Sequence, residues 1–148
     1  MLINDPEYVF RRWLESITAL TAIVGERIIK DPLPSLNKLP GKWDGVKTPS
    51  VTYFRSGGED GNDDYPVMDV VITVRCWGGK SAPEGEDMAL RVYRAIMTQV
   101  AGLDGDEQYG DSVQMYGFDA EGSPIAAQDE ESLLWKVNLD FSFSMNMY

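Results

Sequence analysis

The strongest constraint on the fold is the alternation of side chains over residues 133–147. Apolar residues occupy every second position, and the positions between them are mostly polar. The apolar set is Leu133, Trp135, Val137, Leu139, Phe141, Phe143, Met145 and Met147. A period of two is typical of a β-strand with one face on a core and the other in water. This strand is far longer than the usual ~5–6 residues. We therefore expect part of it to extend beyond its own sheet and to pair with or cover another subunit.

Four further segments predict strands. Residues 50–56 and 66–77 form a hairpin with an acidic, glycine-rich tip at 57–64, and shorter strands are expected at 26–30 and 113–118. Residues 119–131 are acidic and polar, which favours a turn region. The chain has neither the cysteines of a disulfide scaffold nor an internal repeat, so we expect helices to cover the sheet.

Two segments have the apolar spacing of amphipathic helices. The first begins at Asp5-Pro6-Glu7, a capping carboxylate followed by proline and an acid, and its apolar stripe continues to Gly25. The second has Ser81 as the expected N-cap and ends near Gly102. We predict one α+β domain over residues 1–148: a mainly antiparallel sheet packed by two amphipathic helices. A long extended loop, rich in proline and glycine, follows the first helix at residues 31–49.

The residue content restricts the chemistry that the chain can perform. There is no histidine and a single cysteine, Cys76. This excludes histidine acid–base catalysis, Ser-His and Cys-His nucleophile pairs, and an internal disulfide. Cys76 lies on the apolar face of a strand, so we expect a core residue rather than a reactive thiol. Carboxylate and lysine mechanisms are the main enzymatic ones that remain.

One acidic motif has the spacing that opens a calcium-binding loop: Asp60, Asn62 and Asp64. Tyr65 and Val71, however, stand where that loop requires glycine and glutamate. A solvated hairpin tip is the better interpretation.

A second acidic group could suggest glycoside or phosphoryl chemistry, but its adjacent glycines favour a polar loop. It comprises Asp104, Asp106, Glu107 and Asp111. We predict no catalytic residue, no metal site and no cofactor.

The charge is strongly negative and unevenly distributed. The net charge is −11, and residues 95–148 carry ten carboxylates against one cation, Lys136. Such a field repels a phosphate backbone, so nucleic-acid binding is not expected.

No segment has the ~20 apolar residues of a membrane span, and the N-terminus does not resemble a signal peptide. We expect a protein made in the cytoplasm that does not enter a membrane.

Three short motifs, in this order, resemble one protein family. They are Val-Gly-Glu-Arg-Ile at 24–28, Pro-Ser-Val-Thr-Tyr at 49–53, and the strand that ends at Trp77 directly before a helix. With the long final strand, they resemble the tail-completion or tail-terminator proteins of long-tailed bacteriophages. The likeness spans nearly the whole chain, but the loop 31–49 and the acidic segments 57–64 and 119–131 depart from the family pattern.

The resemblance implies a structural protein without enzymatic activity or cofactor. Such proteins form a hexameric ring that caps a finished tail tube, ends its polymerisation and joins it to the head connector or stopper protein. The partners would be copies of this chain, the tube protein and the connector, in the tail or neck of a virion assembled in the host cytoplasm. DNA would pass through the ring without specific binding.

Two sets of residues are candidates for surfaces of that ring. Some acids of the first set are expected to line the DNA channel, because carboxylates repel phosphate: Glu59, Asp60, Asp63, Asp64, Asp104, Asp106 and Glu107. Solubility is an equally good explanation of these charges. The second set is expected at interfaces between subunits: Asp31, Pro32, Leu33, Pro34, Trp43, Trp77, Met145, Met147 and Tyr148.

Other functions remain open at this point. The chain could be a different neck protein, such as a connector or stopper, or a tail-tube subunit. A different class of protein, a small carboxylate-based enzyme or an acidic binding module, would require the glycine-flanked acids to converge around a pocket.

Overall fold

The computed structural model describes residues 3–32, 49–101 and 108–148. Within them the strands form one sheet in the order β1-β2-β3-β7-β5-β4, with β6 beside β7. The strands are β1 (Ile28–Lys30), β2 (Ser50–Gly57), β3 (Val67–Trp77), β4 (Gln108–Gly110), β5 (Val113–Glu121), β6 (Ala127–Gln128) and β7 (Trp135–Asn146). The helices are α1 (Pro6–Glu15), α2 (Thr18–Val24) and α3 (Glu84–Ala101). Apart from the parallel pair β1–β2, the described strand pairs are antiparallel. The predicted α+β class is confirmed.

Strand β7 lies in the middle of the sheet. It pairs with β3 from Lys136 opposite Trp77 to Asn146 opposite Val67. Its other edge pairs with β5 and, near its start, with β6. The expectation that this strand extends beyond its own sheet is therefore wrong: its length is matched by an equally long neighbour, so no long free end remains for another subunit.

The predicted first helix is two helices. The chain takes an extended conformation at Ile17, with φ −81° and ψ 100°, which separates α1 from α2. Both helices carry the same apolar stripe, because residues on either side of the break are buried. The predicted start is confirmed, since the Asp5 carboxylate accepts a hydrogen bond of 3.0 Å from the Glu7 N–H.

An aromatic cluster joins α1 to the sheet. Phe10 of α1 lies 5.1 Å from Phe141 of β7 between ring centroids, and Trp13 lies 4.8 Å from Phe118 of β5. The indole N–H of Trp13 donates a 3.0 Å hydrogen bond to the Gln108 side chain of the edge strand β4. The helix therefore fixes three strands at once, and all three helices pack on this face.

Helix α3 lies directly against the end of β3. A Cβ added to Gly78 would be 1.9 Å from the carbonyl oxygen of Gly85, in the first turn of the helix. The helix begins at Glu84, and the carbonyl of Ser81 accepts a hydrogen bond from the Gly85 N–H. The helix therefore begins two residues later than a cap at Ser81 predicts, although the Ser81 carbonyl accepts a bond of the helical i to i−4 type.

Candidate assembly surfaces

The face of the sheet that the helices leave open is polar and carries carboxylates. Asp140 accepts a 2.7 Å hydrogen bond from the Thr73 hydroxyl, and Asp69 accepts one of 2.6 Å from the Ser144 hydroxyl. These bonds order the carboxylates without neutralising them. We call the exposed acids of this face the sheet acids: Asp69, Asp119, Glu121 and Asp140.

The acidic hairpin tip folds back beside this face. The N–H of Asp69 donates to the carbonyl of Glu59 at 2.8 Å. Arg55 forms an ion pair of 2.9 Å with Asp60, and the Tyr148 hydroxyl lies 3.1 Å from Asp63. The tip and the sheet acids are therefore adjacent, and we call them together the negative region.

The candidate channel acids fall into two groups. Four of them lie in this tip and are exposed: Glu59, Asp60, Asp63 and Asp64. Three lie outside the described residues: Asp104, Asp106 and Glu107. The structure therefore brings the first group together and leaves the second as a prediction. Sequence reasoning missed the sheet acids, although the alternation of β3 and β7 was enough to place Asp69 and Asp140 on the polar face.

The expected interface role of three residues is wrong, because they are buried within the protomer. Trp77 is 5% exposed; its indole N–H donates to the Thr52 hydroxyl at 2.9 Å, and the Lys136 ammonium lies 5.4 Å from its ring centroid. Met145 and Met147 are 0% and 7% exposed. Side chains that are already covered within one copy, Trp77 by Thr52 and Lys136 and the two methionines by the core, leave little surface for another copy.

The remaining interface candidates are only partly described. Tyr148 is 42% exposed, and Pro32 is exposed. Asp31 is half-buried and bound to Arg75 at 2.8 Å, which holds the chain over the open face of the sheet. Leu33, Pro34 and Trp43 lie outside the described residues.

Two apolar side chains, Ile125 and Leu133, are prominently exposed. The sequence analysis did not single out Ile125, and its placement of Leu133 on the apolar face of the last strand is wrong, because that strand begins at Trp135. Ile125 is 72% exposed and Leu133 is 51% exposed, both in the loop of residues 122–134. Leu133 has a φ of 62°, a backbone conformation that costs energy for a bulky residue. We call residues 122–134 the apolar loop. Ile125 could have been found from the sequence as an isolated apolar residue in an acidic, polar segment, whereas Leu133 continues the alternation of β7 and gives no such signal.

Asp129 gives the apolar loop its shape. It accepts hydrogen bonds from the backbone N–H and the hydroxyl of Ser132, at 2.9 and 2.8 Å, and lies 3.4 Å from the Lys136 ammonium. These bonds, foremost the one from the Ser132 N–H, lower the pKa of Asp129. The ionised carboxylate is thus the form that the folded loop prefers.

Replacing Asp129 with asparagine should therefore destabilise the protein in a pH-dependent way. A carboxyl whose pKa is lowered by folding adds stability above its unfolded pKa of ~3.9 and loses it as the pH falls through the lowered folded pKa. We expect D129N to cost about 1 kcal/mol in urea unfolding at pH 7, and the difference from the natural protein to close in strong acid. Glu121→Gln, at an exposed carboxylate of β5, should behave like the natural protein at both pH values. A D129N deficit of the same size in acid would contradict the assignment.

A cleft of about 530 Å³ lies between α1, α2 and β1. Its lining includes Arg11 and Glu15, which form an i,i+4 ion pair of 2.8 Å on the helix surface. Each neutralises the other, so the pair stabilises a helix rather than providing an acid and a base for catalysis.

The other motifs have structural roles in the described chain. Burial raises the pKa of the Cys76 thiol well above its ordinary value, so it is not a nucleophile. The Asn62 side chain accepts hydrogen bonds from the N–H groups of Asp64 and Tyr65 and closes the hairpin tip.

Among the described residues, no three potential ligand side chains converge to hold a metal. None of the described helices is long and apolar enough to cross a membrane.

Similarity to known proteins is found in structure and not in sequence. No family model and no curated protein matches the chain. A chain of the virion of a native gene transfer agent (GTA) particle superposes with a TM-score of 0.53, covering 95% of this chain and 92% of that chain at 19% identity. A second solved chain superposes more loosely, with a TM-score of 0.49 at 9% identity, covering 98% of this chain and 99% of its own. The first likeness shows that the two chains share a fold over nearly their full lengths.

Proposed function

We propose that this protein is a structural component of a phage-like virion and that it assembles as a ring, a hexamer, at the end of the tail. The observation that carries the proposal is the fold shared with a chain of a gene transfer agent virion over 95% of the present sequence. A structural role also agrees with the sheet acids, which are exposed on the open face of the sheet.

The family motifs give a second line of support. The segments 24–28 and 49–53 are distant in sequence, yet they form the parallel pair in which Ile28 lies opposite Val51. The Arg27 guanidinium donates to the Pro49 carbonyl at 2.7 Å. Two motifs that resemble tail terminators therefore form one structural unit. Because these motifs resemble those of tail terminators, we propose that the ring caps the tail tube and meets the connector, rather than extending as a tube.

The negative region supports a proposal for the surface that faces the channel. The sheet acids lie on the face opposite the helix layer, with the hairpin tip adjacent to Asp69, and Arg75 and Lys136 on that face are each paired with a carboxylate. A channel wall of this kind repels DNA phosphates within a Debye length of ~8–10 Å, so DNA can slide through without adhering. We assign this face to the lumen, with the tail tube and the connector at the two rims of the ring.

The mass of the native particle tests the proposal. Light scattering at physiological salt, followed by negative-stain imaging, should show closed rings of about six copies, because a rotation that closes stops growth at a fixed number. The same measurement should be repeated with tail tube added. Long filaments from the pure protein would identify a tube subunit instead. A protein that stays monomeric alone and also fails to bind tube ends would overturn the proposal.

A further inference from the structure

The outer face of α3 carries cations that have no partner in the described protomer. Arg91 and Arg94 are exposed on this helix, and exposed Lys80 precedes it. None of the three forms an ion pair with a residue of the described ranges, whereas six other cations do. Exposed Glu84 and Asp87 precede the two arginines on the same face, so the positive charge is local to the middle of α3, and an acidic partner would recognise it there.

The same face has an apolar border. Leu90 and Met97 are only partly buried against the core, and they lie four residues before and three residues after Arg94. Side chains at these spacings are neighbours on a helix surface. The face therefore offers guanidinium groups beside apolar area, the composition that interface centres favour.

The apolar loop has the complementary composition. It presents Ile125 and Leu133 to solvent, and between them the exposed carboxylates of Glu130 and Glu131. Its shape is held by Asp129 and by a 2.9 Å hydrogen bond from the Gln128 amide to the Leu133 carbonyl. A loop that is already ordered loses little conformational entropy when it binds.

We propose that the outer face of α3 in one copy receives the apolar loop of the next copy, with Arg91 and Arg94 against Glu130 and Glu131. The inference rests on the proposed ring and names its contact between subunits. The two surfaces differ, so the contact is heterologous, as a closed ring of more than two subunits requires. It also explains how copies that repel each other by net charge can associate, since this contact brings opposite charges together.

Charge reversal on each side, and then on both, tests the contact. The variants are Arg91→Glu with Arg94→Glu, Glu130→Arg with Glu131→Arg, and the fourfold exchange, which keeps the net charge of the natural protein. Light scattering over a concentration series measures self-association, and unfolding midpoints check the fold. Each one-sided reversal should weaken association at least ~100-fold, because like charges then face each other, and the exchange should restore it to within ~10-fold.

A fifth variant, Leu133→Gly, separates the loop surface from the loop shape. Glycine adopts a φ of 62° without strain, so the fold should be kept or stabilised while the apolar contact is lost. Association should weaken about 10-fold or more. Rings that persist in the one-sided reversals, or a fourfold exchange that does not recover association, would overturn this contact and leave the ring proposal intact. A natural protein that forms no ring, neither alone nor on tube ends, would overturn both.

Discussion

Replacing Phe141 with alanine should lower the free energy of unfolding by about 4 kcal/mol, the usual cost of a large cavity in a core. Phe141 is 0% exposed in the middle of β7, and its ring lies 5.1 Å from Phe10 and 5.3 Å from Phe118 between centroids. The lost ring would leave α1 and β5 without their shared contact. Urea unfolding followed by fluorescence measures the change.

Tyr116→Ala is the matched control for this variant. Tyr116 is an aromatic residue of the neighbouring strand β5, but it is 37% exposed on the open face of the sheet. Its removal opens no cavity, and we expect a change of about 0.5 kcal/mol or less. Equal losses for the two variants would mean that the aromatic cluster does not hold the helix layer to the sheet.

Adding one methyl group at Gly78 should be almost as damaging, at about 3 kcal/mol. The new Cβ would lie 1.9 Å from the Gly85 carbonyl oxygen and 2.7 Å from the Ala89 nitrogen, both backbone atoms of α3. Backbone atoms cannot change rotamer to make room, so α3 must move away from the sheet. The expected result for Gly78→Ala is a lower unfolding midpoint and a weaker near-ultraviolet signal from the adjacent tryptophans.

Gly57→Ala shows whether the effect comes from crowding rather than from the loss of glycine. A Cβ at Gly57, in β2, would meet Val71 side-chain atoms at 3.7 and 3.8 Å, which is ordinary van der Waals contact. Its stability should stay within about 0.5 kcal/mol of the natural protein. If Gly78→Ala were equally mild, the close approach of α3 would not be a tight constraint.

Regular periodicity makes most of the fold predictable. The alternation of β7 and the apolar stripe of α3 predict which side chains are buried. These patterns alone place Phe141 and Val92 in the core, where the structure has them. The break at Ile17 could not be found in this way, because the apolar stripe continues across it. The three-residue β4 and the two-residue β6 are too short to show a period at all.

The surfaces were less predictable, because they depend on contacts between distant segments. Trp77 continues the polar face of β3 and was expected to be exposed, but Thr52 and Lys136 cover it from the two neighbouring strands. The hairpin acids were recognised as a group, whereas their position beside Asp69 depends on how the tip folds back. The exposed Ile125 interrupts a polar segment without any repeat that would reveal its direction, and Leu133 continues the alternation of β7 although it lies outside that strand and is exposed.

The central position of β7 has a thermodynamic consequence for assembly. Since both edges of this strand are hydrogen-bonded inside one protomer, copies do not complete one another by exchanging it. Association then joins surfaces that are already folded. The heat-capacity change of association should be small and proportional to the apolar area covered, without the large ordering contribution of chains that fold as they bind.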